Sequence, residues 1–228
     1  MDFLLDSLRA ALHLIVMRDP AFCHAVWTSL YVSFWSIILA ALLGIPAGLA
    51  VGLSDFPLKR TVITGLNSLM AVPTVLIGLL VYGFISRQGP FGGFGLLFTP
   101  SAIIVGDALL AAPIVANLAL SSVRGAHAAI LPTAMTLGGD RLQSVLTLVS
   151  EVRFSMMAAV IAGFGRVVSE VGVAMMLGGN ILGYTRTMTT AIALETSKGE
   201  FALGIALGIV LMAVALAVNV IFQFLQRK

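Results

Sequence analysis

An all-α integral membrane protein is the fold class this sequence predicts, and three observations predict it. Hydrophobic residues fill 59% of the 228 positions and charged residues only 10%, against about 25% charged in an ordinary soluble domain. The mean hydropathy is +1.07. The apolar residues gather into five runs, at 26–53, 62–85, 102–123, 154–177 and 202–225, each near or above the roughly 20 residues that a helix needs to cross a bilayer. A water-soluble core could not take in this much apolar surface, so lipid is the expected solvent.

The elements follow in chain order. Residues 1–24 open "MDFLLDSLRAALHLIVMRDP", which begins acidic and is interrupted by Arg9 and His13, unlike a cleaved signal peptide. Leu4, Leu8, Leu12 and Ile15 share one helical face, which predicts a short amphipathic helix lying at the outer membrane interface. Residues 25–224 then form the transmembrane domain. The first span is over-long, and Pro46 in "GIPAG" is expected to bend it; Pro73 and Pro113 are expected to do the same in the second and third. Gly44, Gly48 and Gly52 recur every fourth position and invite another helix to pack closely, and Gly204 and Gly208 offer the same in the last span.

Orientation is read from the basic residues between spans. Lys59, Arg60, Arg124, Arg141, Arg153, Arg227 and Lys228 fall on one side, and Arg9, Arg18, Arg87, Arg186 and Lys198 on the other. The richer side is expected to be cytoplasmic, with the N-terminus outside and the C-terminus inside. No basic cluster exceeds Lys59-Arg60, so the net charge of +3 does not point to nucleic acid. The single cysteine, Cys23, excludes an intrachain disulfide, and the dispersed His13, His24 and His127 do not form a metal site.

The segment 124–153 is the longest connection and falls on the cytoplasmic side. Leu142, Val145, Leu146 and Val149 make an apolar stripe at helical spacing. Pro132 is expected to start a helix and Gly138-Gly139 to break it, giving helix, turn, helix. Such a pair either caps the bundle or docks a cytoplasmic partner; periodicity does not choose.

"PTAMTLGGDR" resembles the cytoplasmic coupling motif of ABC importer permeases, aligned on Gly138 with Ala134 at the motif's second alanine and Pro132 and Thr133 in place of Glu-Ala. "AGFGRVVSEVGVAMMLGGNILGYTRTMTTAIALETSKGEFALGIALG" (162–208) and "MAVPTVLIGLLVYG" (70–83) resemble the oxyanion group of these permeases, the tungstate type most of all, with molybdate and sulfate types more distant. The resemblance implies the type I ABC importer permease fold. It also implies a homodimer with the pathway at its interface, a pair of cytoplasmic ABC ATPases and an extracytoplasmic oxyanion-binding protein, all in a prokaryotic inner membrane. The ATPases would grip Pro132, Thr133, Ala134, Leu137, Gly138, Gly139, Asp140 and Arg141. No Gly-x-x-x-x-Gly-Lys-Ser/Thr phosphate loop occurs, so the chain is not expected to hydrolyse ATP itself, and no cofactor is implied.

Arg166 and Glu170 stand four apart inside an apolar run, where an isolated charge costs roughly 2.5–3.5 kcal/mol. Three roles are open: an ion pair that fixes packing, alone or bridged to Asp107 or Asn117; a gate latch; or a direct anion ligand through Arg166. Structure or latch is favoured, because a transport path must bind weakly enough to release. "GYTRTMTTA" is open in the same way: Asn180, Thr185, Arg186 and Thr187 either line an external vestibule or cap and pack a short helix. Other functions fit less well. A passive anion channel has no need of a coupling segment, and an intramembrane protease lacks a catalytic pair. A secondary transporter subunit also uses broken helices.

Overall fold

Asp19-Pro20 and Thr99-Pro100 set the frame of the molecule. In each pair a side chain caps the helix start, Asp19 accepting from the Phe22 N–H at 3.0 Å and Thr99 from the Ala102 N–H at 3.4 Å. The proline then occupies a first-turn position, where its missing N–H costs nothing. The computed structural model describes residues 2–226, and within them the fold is all-helical. After α1 (Asp2–Met17) come α2 (Pro20–Leu53), α3 (Lys59–Met70) and α4 (Thr74–Ile85). A 3₁₀ turn (Gly92–Phe94) precedes α5 (Pro100–Thr136), and α6 (Arg141–Glu151), α7 (Arg153–Val168), α8 (Gly172–Gly178), α9 (Met188–Lys198) and α10 (Phe201–Gln226) complete the order.

The axis of the fold is α2 laid along α5. Gly44 and Gly48 make the approach possible. A Cβ on Gly44 would sit 2.8 Å from the Ala112 carbonyl oxygen, and one on Gly48 would overlap the Ala116 carbonyl oxygen. The expected glycine seam is therefore real in α2. Among the described residues it is not repeated in α10: a Cβ on Gly208 would meet nothing within 4 Å and one on Gly204 only the Thr196 hydroxyl, at 3.6 Å. Helix α7 packs on both α2 and α5, and α10 gathers α1, α9 and α7 around Ala206 and Leu207. Helix α1 thus ends at Met17 and packs on α10 through Ala11, Leu14 and Ile15.

The prolines behave differently from the expectation. Pro46 and Pro113 lie inside helices that continue through them. Pro73 breaks its span outright, with α3 and α4 meeting at 98°. The fourth expected span is also not one helix: α7 stops at Val168 and α8 restarts at Gly172. By length and apolarity three helices can cross a membrane alone, α2, α5 over Pro100–Ala126, and α10 over Phe201–Ile221; the bent pairs α3–α4 and α6–α7 bring the number up to five. Pro132 does not start a helix, because α5 runs on to Thr136 and absorbs it. Of the expected α6 stripe, Leu142 and Leu146 are exposed, and the buried face is carried by Ser144, Leu148 and Val152.

Candidate functional site: the broken spans and the turn at Gly138

The two broken spans meet. Helix α4 packs on α8, and a Cβ on Gly172, the first residue of α8, would lie 2.8 Å from the Thr74 hydroxyl at the first residue of α4. Such breaks free backbone groups that lipid cannot satisfy, and Glu170 satisfies several of them. Its Oε2 accepts from Arg166 Nη1 at 2.8 Å, while Oε1 accepts from the backbone N–H of Gly172 at 2.7 Å and of Val173 at 3.3 Å. Its carbonyl oxygen accepts from the Thr189 hydroxyl at 2.6 Å. Glu170 therefore joins the end of α7, the start of α8 and the first turn of α9. Its side chain is 3% exposed and that of Arg166 is 40% exposed, so one face of the guanidinium stays open.

Asp107 and Asn117 do not join this pair. Asp107 is buried on α5, and its Oδ1 has no hydrogen-bond partner among the described residues. It lines a small void with Ser29, Ser33, Glu170, Thr187 and Thr189, and among the described residues no ion pair links it to Arg166. Asn117 donates to the Asn67 side-chain oxygen, and its amide nitrogen lies 3.0 Å from the Met70 sulfur; both partners are on α3. Asn117 and Asn67, with exposed Ser121 and Arg124 further along the same face of α5, form a polar seam between α3 and α5. Asn67 and Ser121 escaped the sequence reading because each stands in a short uncharged polar pair, Asn67-Ser68 and Ser121-Ser122, within an apolar run.

The 180–190 segment turns its polar groups inward. Thr185 donates to the Gly178 carbonyl at 2.5 Å and accepts from the Ile181 N–H at 3.0 Å. Thr187 caps α9 in a reciprocal pairing with Thr190, and the Met188 N–H donates to the Ser29 hydroxyl at 2.6 Å. Arg186 donates to the Asn180 side chain at 3.1 Å and to its carbonyl at 3.4 Å, and its Nη1 lies 3.7 Å from Glu195 Oε1. Glu195 also holds Lys198 at 3.0 Å. Glu195 and Ser29 are thus structural partners that spacing alone did not reveal. Each of the hydroxyls of Thr185, Thr187 and Thr190 has a capping or packing partner.

The turn at Gly138 is held from both sides. The Leu137 N–H donates to the Thr133 carbonyl at 3.2 Å and the Gly139 N–H to that of Ala134 at 3.1 Å. Gly138 has φ +90°, a conformation that side-chain-bearing residues rarely adopt. Asp140 then caps α6, accepting from the Gln143 N–H at 2.7 Å, while Gln143 Oε1 accepts from the Asp140 N–H at 3.1 Å. Leu137 is left 83% exposed, with Met135 and Leu142 beside it also exposed. The side chains of Pro132 and Arg141, and residues Arg227 and Lys228, lie outside the described residues.

No family model matches the chain. It is 38% identical to the tungstate uptake system permease protein TupB of Peptoclostridium acidaminophilum, covering 100% of both chains. It is 42% identical to the TupB of Campylobacter jejuni, covering 100% of this chain and 95% of that one. A probable anion ABC transporter permease protein of Haloferax volcanii is 42% identical over 84% of each chain. Among solved structures, the inward-facing MetNI methionine ABC transporter superposes with a TM-score of 0.74 at 17% identity, covering 90% of this chain and 94% of that one.

Proposed function

The chain belongs to the oxyanion-type permease proteins of ABC importers, with the tungstate uptake permeases among its full-length relatives, and from that membership we propose that it carries tungstate inward. It is a transport subunit and not an enzyme. The observation that carries the substrate is the full-length identity of 38% and 42% to two tungstate uptake permeases. Tungstate is a tetrahedral dianion, and molybdate is so near it in size and charge that both can use one path.

Two copies form the pathway between them, and the polar seam of Asn67, Asn117 and Ser121 is the surface best suited to face it. Polar side chains on a membrane-spanning surface need water or a partner subunit. The N-terminus lies outside and the coupling turn inside, in line with the bias of basic residues. A pair of cytoplasmic ABC ATPases docks on Thr133, Ala134 and 137–140, where an exposed apolar tip calls for a partner. An extracytoplasmic oxyanion-binding protein delivers the cargo. Glu170 straps the broken spans together, with Arg166 as its counter-ion. Anion contact by Arg166 is the second reading, favoured only by its open face.

Elemental analysis of cells grown at trace oxyanion supply tests the substrate. Deletion of the chain is expected to lower cellular tungsten, and re-expression to restore it. Unchanged tungsten with lowered sulfur or molybdenum would move the assignment to another oxyanion.

A further inference from the structure

Where α2 gives way to α3, the chain builds a cavity of about 620 Å³ lined by Asp55, Leu58, Lys59, Arg60, Thr61 and, from α5, Arg124. Three cations and one carboxylate meet there, but they are not equivalent. Lys59 Nζ is committed to Asp55 at 3.1 Å and to the Gly52 carbonyl at 3.4 Å, and this pair cancels in charge. Arg60 and Arg124 have no side-chain partner among the described residues, which leaves two unneutralised guanidinium groups at one cavity. The start of α3 adds to the same potential. Its capping residue is Leu58, held at φ +78° and without a side-chain acceptor; the Lys59 N–H donates to the Phe56 carbonyl at 3.2 Å, which leaves the N–H groups of Arg60 and Thr61 uncapped. Such a terminus carries partial positive charge. A leucine with positive φ is an outlier for a bulky residue.

Position sharpens the chemistry. Arg124 directly follows the apolar run 102–123 of α5, and α2 ends at Leu53, so the cavity sits where membrane-spanning helices reach the headgroup region. Arg124 is also the last member of the face that carries Asn117 and Ser121. We propose that Arg60 and Arg124 together hold a tetrahedral oxyanion group of the phosphate class at this end of the polar seam. Each guanidinium offers two parallel N–H donors matched to adjacent oxygens of a tetrahedral anion. That chemistry is shared by the headgroup of an anionic phospholipid and by a free oxyanion leaving the pathway. The free-anion source rests on the reading of the chain as an oxyanion permease; the lipid source does not.

The test uses the full chain in two arms. In the first, the chain in nanodiscs of mixed phosphatidylcholine and phosphatidylglycerol is released for native mass spectrometry, and retained phosphatidylglycerol is counted. In the second, inorganic phosphate and tungstate are titrated onto the chain in an uncharged detergent. The comparison is with an R60Q/R124Q double variant and with Arg124→Lys, which keeps the charge and loses the fork. Arg87→Gln, on a different cavity, serves as control. The double variant is expected to lose about tenfold in affinity per arginine, the scale of one charge-assisted contact, in at least one arm. Arg124→Lys is expected to fall between it and the unaltered chain. Loss in the first arm alone assigns the lipid, and loss in the second alone assigns the free anion. Equal retention and equal titration for all chains would overturn the site, whatever cellular uptake shows about the cargo.

Discussion

Glu170→Ala is expected to cost about 2 to 3 kcal/mol of stability and to abolish most uptake. Removing one partner of a fully buried ion pair costs about 3–5 kcal/mol, and the 40% exposure of Arg166 relieves part of that by hydration. The rest of the damage is at the backbone. The N–H groups of Gly172 and Val173 lose their acceptor at a break where lipid offers none. Glu170→Gln separates the two effects, because its amide oxygen can still accept from Gly172 while its charge is gone. The expected order of thermal midpoints in detergent is unaltered chain, then Gln, then Ala. Arg166→Lys, which keeps a counter-ion for Glu170 and loses the guanidinium fork, distinguishes latch from ligand: a latch keeps most of its uptake, whereas a ligand loses uptake with the midpoint little changed. An Ala variant with unaltered midpoint and uptake would remove Glu170 from its role as a strap.

Gly48→Leu is expected to be the most damaging substitution within the α2–α5 interface, at about 3 kcal/mol, the upper end of the overpacking range. The obstacle is the backbone carbonyl of Ala116, with the Ala119 Cβ only 2.9 Å from the added atom, and backbone cannot step aside as a flexible side chain can. The two helices must separate, and the flanking contact of Gly44 with Ala112 separates with them. Gly65→Ala is the matched control. A Cβ there meets nothing within 4 Å on exposed α3, so the change is expected to be neutral or to stabilise by up to about 1 kcal/mol. Tryptophan fluorescence during thermal unfolding reads both. A Gly48→Leu chain that unfolds with the unaltered one would contradict the close packing of α2 on α5.

Much of this architecture was legible because membrane burial is a matter of composition, and composition is local. The two Asx/Thr–Pro starts and the Asp140–Gln143 capping box are local signals as well, though the expectations from sequence did not draw on them. What the chain does at its prolines is not local. Pro46 and Pro113 are flanked by the Gly44–Ala112 and Gly48–Ala116 contacts, which brace both helices through the disruption. Pro73 has α8 beside it instead, and that helix is itself the restart of a broken span. The same residue type therefore continues one helix and ends another. The threonines between 185 and 190 were ambiguous for a related reason: a hydroxyl that caps and one that lines a vestibule have the same spacing. Only the partners tell them apart, and in the structure these are Gly178 for Thr185, Thr190 for Thr187 and Glu170 for Thr189.

The central claim, a permease driven by ATP through the turn at Gly138, is tested most directly in sealed vesicles. The chain would be reconstituted with its ATPase and loaded with ATP inside, and tungsten uptake from the external binding protein measured by elemental analysis. Uptake is predicted to require internal ATP and to be lost with Gly138→Asp, which forces a side chain onto φ +90° and adds charge at the coupling turn. The Gly138→Asp chain should keep its thermal midpoint within a few degrees. Uptake that persists without ATP, or that survives an intact but Asp-bearing turn, would contradict the account and return the chain to the passive or secondary transporters.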